Sequence, residues 1–298
     1  MLPLDEYTED DYLLIVLGLV GGDVKQPSFQ LIRKLNDEER DDFLSSSSEI
    51  AKWLKSDNDT FEFVEFSYNT FVSTVENIKK QFLCIPTPNV DDSLLAINAA
   101  ILNLLSSMRL YLDHTKTRLS RCDKSELSEH QEATHMEFDN VFAYRFFDKL
   151  RNFAQHCGMP ITVLSASSNL EQQTGGTNFT FELNFDRDFL LKEFHEWKHP
   201  VTEELRALDT QFDVLKLVDD VIASFRALRE KTILIYIRRL EPNITFLKSL
   251  LNETAQFQGT PLVIRKKEDI QVAGGRQAQI EMKYFPTKLL DICNFFTS

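Results

Sequence analysis

Glycine and proline are scarce, nine each in 298 residues, which excludes a turn-rich all-β sandwich and a low-complexity chain. Cysteine is scarcer still. Cys84, Cys122, Cys157 and Cys293 lie far apart and form no C-x-x-C, so neither a disulfide framework nor a zinc cluster is expected. Long hydrophobic runs are missing too: the longest early one, Leu13 to Val20, is too short to span a bilayer. The N-terminus, MLPLDEYTEDDY, is acidic where a signal peptide is basic, so the expectation is a soluble cytoplasmic protein with no membrane partner. Basic charge is in the minority, 33 Lys and Arg against 46 Asp and Glu, for a net charge of −13. Such a surface repels bulk nucleic acid, although a nuclease can still gather its basic groups in one cleft. No Walker loop, Rossmann glycine pattern or G-x-S-x-G is present.

What the chain does hold is apolar mass: 43% hydrophobic residues, including 24 phenylalanines, enough for a sizeable core packed by aromatics. Tyr12 to Val20 reads as a strand or a buried helical turn closed by Gly21-Gly22, and Asp37 to Leu54 as a helix weakened by four consecutive serines. From Thr60 the period is helical, with Phe63, Phe66, Phe71, Val75 and Ile78 recurring until Pro86 and Pro88. A second helix starts at Asp91-Asp92-Ser93 and runs to about Arg121. After a polar, acidic loop from Asp123 to Glu137, a third runs from about Phe138 to His156 and is stopped by Gly158 and Pro160. Two β-hairpins are expected, Ile161–Ser165 with Asn178–Phe185 around Gly175-Gly176, and Pro261–Arg265 with Gln277–Phe285 around Gly274-Gly275. Between them come helices over Arg187–Lys198, from about Thr202, and over Phe212–Arg239, with a further one after Pro242. The expected fold is mainly α, a helical bundle with two small β-hairpin insertions. It divides into an N-terminal mixed segment 1–59, a helical core 60–160, and hairpins and long helices 161–298 that pack on that core.

The end of the third helix carries the chemistry. It reads Arg151-Asn152-Phe153-Ala154-Gln155-His156, an R-N-x-x-x-H sequence. A guanidinium suits the non-bridging oxygens of a phosphodiester, and an imidazole can move the proton of a ribose 2′-OH or of the 5′-oxygen leaving group, without metal. Five positions on an ideal helix turn Arg151 and His156 about 140° apart, so one helix does not aim both at a single atom. The bland alternative is a surface arginine and a helix-capping histidine. A second R-x4-H, Arg109 to His114 (RLYLDH), shows how readily the spacing arises; these two residues are possible accessories to the same cleft.

RNFAQH, closing an apolar helix of a helical bundle, resembles the signature of the HEPN superfamily, and the stretch FAYRFFDKLRNFAQHCGMPI is similar to bacterial defence-associated proteins. The resemblance covers roughly residues 60 to 160. It implies a HEPN-like bundle and a metal-independent endoribonuclease without cofactor, acting in antiviral defence or as a toxin, with Arg151, Asn152 and His156 as the matched site. It further implies an RNA substrate and a homodimer that supplies the second motif, with an antitoxin or a defence-complex protein as a possible partner. A non-catalytic interaction or regulatory protein of such a complex is the alternative.

Other signals compete. His195-Glu196-Trp197-Lys198-His199 spells the H-E-x-x-H of zinc proteases, but Pro200 follows the second histidine and Lys198 sits within the turn that must hold the metal. His130 and His135 lie among acidic residues as a weak metal hint, and no metal is expected. Arg265, Lys266 and Lys267 form a basic cluster that can grip an RNA backbone.

Overall fold

The computed structural model describes residues 6–20, 26–84, 88–170, 177–272 and 275–297. In chain order the elements are β1 (Tyr12–Val20), β2 (Gln26–Lys34), α1 (Asp37–Ile50), a π-helical turn (Ala51–Lys55), α2 (Ser56–Cys84), α3 (Val90–Leu119), α4 (Lys124–Asn140), α5 (Phe142–His156), β3 (Val163–Leu170), β4 (Thr177–Asp186), α6 (Arg187–Glu193), α7 (Val201–Ala207), β5 (Gln211–Asp213), α8 (Val214–Thr254), β6 (Thr260–Val272), β7 (Gly275–Tyr284) and α9 (Thr287–Thr297). The fold is mainly α with two small antiparallel sheets, as the composition and periodicity lead one to expect. Gly21-Gly22, Pro86, Gly175-Gly176 and Gly274, read above as breakers and turns, lie outside the described residues.

The chain divides into two compact units: Met1–Ser56 with Ile233–Ser298, and Asp57–Thr232. This differs from three consecutive segments. The N-terminal strands are completed by the C-terminal ones, because β1 pairs antiparallel with both β2 and β6 in the sheet order β2-β1-β6-β7. Leu13 and Ile15 of β1 face Leu262 and Ile264 of β6 in a small core that neither end of the chain builds alone. Helix α8 supplies its first part to one unit and its last part to the other.

In the 57–232 unit, α2, α3, α5 and the first part of α8 enclose the main core. Its α3 face shows Ile97, Ile101, Leu104, Leu105 and Met108, all buried, at the three-to-four spacing of an amphipathic helix. Among the described residues α3 is the one helix long and apolar enough to cross a membrane, and half of its most apolar window is covered by the protein. The α5 end of the core is aromatic. Phe146 and Phe153 both stack on Trp197, at ring-centroid distances of 5.6 and 5.9 Å, and Phe146 meets the edge of Phe185 at 5.2 Å. Asp57, fully buried at the start of the unit, accepts a 3.2 Å bond from Thr115. Burial pushes its carboxyl up to about 7, against the opposing pull of Thr115, Arg229 and Arg118.

Several expected elements differ. The polar stretch 123–137 is helix α4: Asp123 caps its start by accepting from the Ser125 amide at 2.8 Å, and its buried face rests on His130 and Ala133. Phe63 and Phe66 of α2 are exposed, the latter by 67%, because Phe61, Val64, Phe71, Val75 and Ile78 form the buried stripe. Pro242 does not divide the last long helix. The exposed ring costs α8 one backbone bond, while Leu240, Ile244, Leu247 and Leu250 carry its buried face onward. The serine run stays helical in α1, with Ser46 buried and accepting from Asn243 at 3.1 Å.

Candidate functional site

Helix α5 is held at both ends. Near its start, buried Arg145 donates to the Phe138 carbonyl at the end of α4 and forms an ion pair with Glu204 of α7, including an Nε–Oε2 bond of 3.2 Å. Past its end, Gly158 adopts φ +128°, a conformation that only glycine takes without strain, and turns the chain back. Three residues on, Ile161 is clamped by buried Asn98 of α3, which accepts from its amide at 3.0 Å and donates to its carbonyl at 2.7 Å. The C-terminal turn carrying Arg151, Asn152 and His156 is thereby fixed against α3.

Arg151 and Asn152 are half-buried and line a narrow cavity of about 50 Å³. Its floor is apolar, from Leu105, Met108, Phe147 and Phe225, and its rim is polar, from Arg109, Asp148, Arg151 and Asn152. Arg109, one of the two expected accessory residues, is therefore brought to Arg151, and its Nε holds Asp113 at 2.8 Å. Asp148 is engaged by Lys149 at 2.7 Å. Arg151 and Asn152 enter no hydrogen bond or ion pair among the described residues, so their donors are free for a ligand.

His156 does not line this cavity. It is exposed on the last residue of α5, turned away from Arg151 by the five-residue step. Asn152, four residues before it, shares its face and stands between the two. Within one chain the expected triad thus spans a cavity rim and an open helix end. His114, the other accessory candidate, does not line the cavity; partial burial lowers its imidazole below the ordinary range, with Arg118 adding to the shift.

A second, wider cavity of about 250 Å³ adjoins the first and shares Arg109, Leu112, Tyr144 and Asp148 with it. Lys116 on α3 and Gln131, His135 and Phe138 on α4 add to its wall. Gln131 gives no signal of its own in the sequence, since the polar stretch 123–137 reads as a loop; the capping Asp123 is the mark of the helix that carries it. His130, read there as a possible metal ligand, is buried, its Nδ1 lies 3.2 Å from the Thr232 hydroxyl, and burial lowers its imidazole to about 4. It is a neutral core histidine.

The H-E-x-x-H sequence is not a helix. Helix α6 ends at Glu193, and buried Trp197 donates its indole N–H to the Leu190 carbonyl at 3.0 Å, holding residues 194–198 against α5 as a non-helical segment. His195 and His199 are exposed on that segment and do not share one helical face, the placement a zinc protease requires. Among the described residues no group of three His, Cys, Asp or Glu side chains is arranged to hold a metal ion.

The basic cluster lies on β6, in the other compact unit. Arg265 pairs with Glu281 at 2.9 Å and covers the Tyr12 ring at 5.7 Å. Lys283 shares the same carboxylate at 3.3 Å, and Lys267 stands at an irregularity in the β6–β7 register. The carboxylate of Glu281 offsets part of the charge that was to grip RNA. The chain matches no family model, no curated protein and no solved structure.

Proposed function

We propose that this chain is a metal-independent endoribonuclease of the HEPN type, acting in antiviral defence or as a toxin, with Arg151, Asn152 and His156 at its active site. The observation that carries the reading is the placement of Arg151 and Asn152: an unpaired guanidinium and amide at the rim of a cavity, one helical turn from an exposed imidazole. Arg151 binds the non-bridging oxygens and stabilises the charge that grows on them as phosphorus becomes five-coordinate. The ribose 2′-oxygen attacks phosphorus as one imidazole removes its proton. The bond from phosphorus to the 5′-oxygen breaks as a second imidazole protonates that oxygen, leaving a 2′,3′-cyclic phosphate and a 5′-hydroxyl.

Two histidines and the 140° offset both call for a second copy of the chain, so that Arg151 of one protomer serves the same phosphate as His156 of its partner. Arg151→Ala and His156→Ala are each expected to abolish cleavage of single-stranded RNA without moving the unfolding midpoint, since neither side chain is buried. Activity at the wild-type level in both variants overturns the assignment.

The second reading is a non-catalytic interaction protein of a defence complex. It is favoured by Phe63 and Phe66, which α2 leaves exposed. Stable wild-type protein that leaves RNA uncut, yet loses a bound partner on Phe66→Ser, is the outcome that selects it.

A further inference from the structure

We infer that the groove between α3, α4 and α5 seats one nucleotide of single-stranded RNA next to the cleaved phosphate, with Lys116 on its backbone and Phe138 against its base. The inference rests on the ribonuclease reading and assigns the strand its path away from Arg151. At about 250 Å³ the groove is smaller than the ~300–1,000 Å³ pockets that enclose drug-sized ligands, so it takes a single splayed unit and no folded loop. A base paired within a duplex is not free to enter it.

Charge and chemistry along the groove fit that unit. One end holds Arg109 beside Arg151, with the Arg109 charge held by Asp113 and with Asp148 on the same wall, and the other holds Lys116, whose exposed ammonium makes no hydrogen bond or ion pair among the described residues and is the cation left for a phosphate. Seven residues of α3 separate Arg109 from Lys116, a rise of about 10 Å, room for one nucleotide between the Arg151 rim and Lys116. Between them the wall turns apolar, where half-buried Leu112 and Phe138 offer the aliphatic and π surface on which a base stacks, over buried Tyr144. Gln131 of α4 supplies both a donor and an acceptor for the edge of that base.

The test measures binding in EDTA on a His156→Ala background, so that the RNA stays intact, using fluorescein-labelled oligouridine, oligoadenosine and a duplex of the same length. Lys116→Gln, an exposed position that leaves the core untouched, is expected to weaken single-strand binding about three- to tenfold. It is also expected to lower the slope of log affinity against log salt by about 0.7, the loss of one phosphate contact. Gln131→Ala is expected to narrow the difference between the two homopolymers while leaving the salt slope unchanged. Duplex binding is expected to be weaker than single-strand binding and insensitive to both changes. Unchanged affinity, slope and base preference in both variants, or no RNA binding at all, overturns the groove. The catalytic reading is scored separately, by cleavage in the His156-containing protein. Groove-dependent binding without cleavage removes the enzyme and keeps the groove, and cleavage with an insensitive groove does the reverse.

Discussion

At the scale of single residues, two buried polar groups set the terms on which α5 and α4 are held. Arg145 has a side chain 7% exposed, and its partner Glu204 is 32% exposed, so the ion pair works in a partly desolvated setting. Removing the guanidinium leaves the Phe138 carbonyl and the carboxylate without their donor. Arg145→Met is therefore expected to cost on the order of 2–4 kcal/mol in urea unfolding, below the cost of a fully buried pair because Glu204 keeps some water. A loss under 0.5 kcal/mol would mean that the pair does not hold α5.

His130 gives a pH signature of known sign. Its folded-state pKa is depressed to about 4 by burial, against an ordinary value of 6.5, so between these the unfolded chain binds the extra proton. Stability contributed by the neutral ring is present above about pH 6.5 and is lost as the pH falls toward 4. Urea midpoints of wild type and His130→Gln should therefore converge on going from pH 7 to pH 4.5, whereas a constant difference would show that His130 does not titrate in the folded core. The sequence placed this histidine among acidic neighbours. Its burial depends on α4 packing and on Thr232, which stands 102 residues away along the chain.

At the scale of elements, strong periodicity was legible and weak periodicity was not. Helix α3 and α5 follow from their apolar spacing, and the R-N-x-x-x-H segment was correctly placed at the end of a helix because Gly158 closes it. Helix α4 shows no such stripe, because its buried face is made of His130 and Ala133 rather than leucines. Helix α6 stops at Glu193 instead of running to Lys198, because Trp197 anchors a non-helical segment through its contacts with Phe146 and Phe153, which lie far from it in the sequence.

At position 242 a proline signals a break that α8 does not make, because the packing of Leu240, Ile244 and Leu247 outweighs one missing bond. Since that proline is exposed inside α8, Pro242→Ala restores a donor to the Arg238 carbonyl. It is expected to raise stability by about 1–3 kcal/mol in thermal or urea unfolding. A lowered midpoint would mean that the proline shapes the helix in a way its neighbours need.

At the scale of the whole molecule, the pairing of chain ends was beyond sequence reading. Nothing local in Tyr12–Val20 tells that its second neighbour is Thr260–Val272, because pairing at that separation is fixed by a shared core and not by a turn. The proposed composite active site belongs to this scale too. If the His156 imidazoles of both protomers serve one phosphate, refolding equal amounts of wild type and His156→Ala together should leave about a quarter of wild-type activity, since a quarter of the dimers then hold both imidazoles. A remaining half, with exchange verified by size, would mean that each chain carries its own complete site.

The central claim is tested most directly by incubating wild-type and His156→Ala protein with total RNA and tRNA in EDTA and analysing the product ends. The account predicts cleavage by the wild type alone, leaving 2′,3′-cyclic phosphate and 5′-hydroxyl ends. Equal cleavage by both proteins, cleavage that returns only with a divalent cation, or intact RNA in both would contradict it.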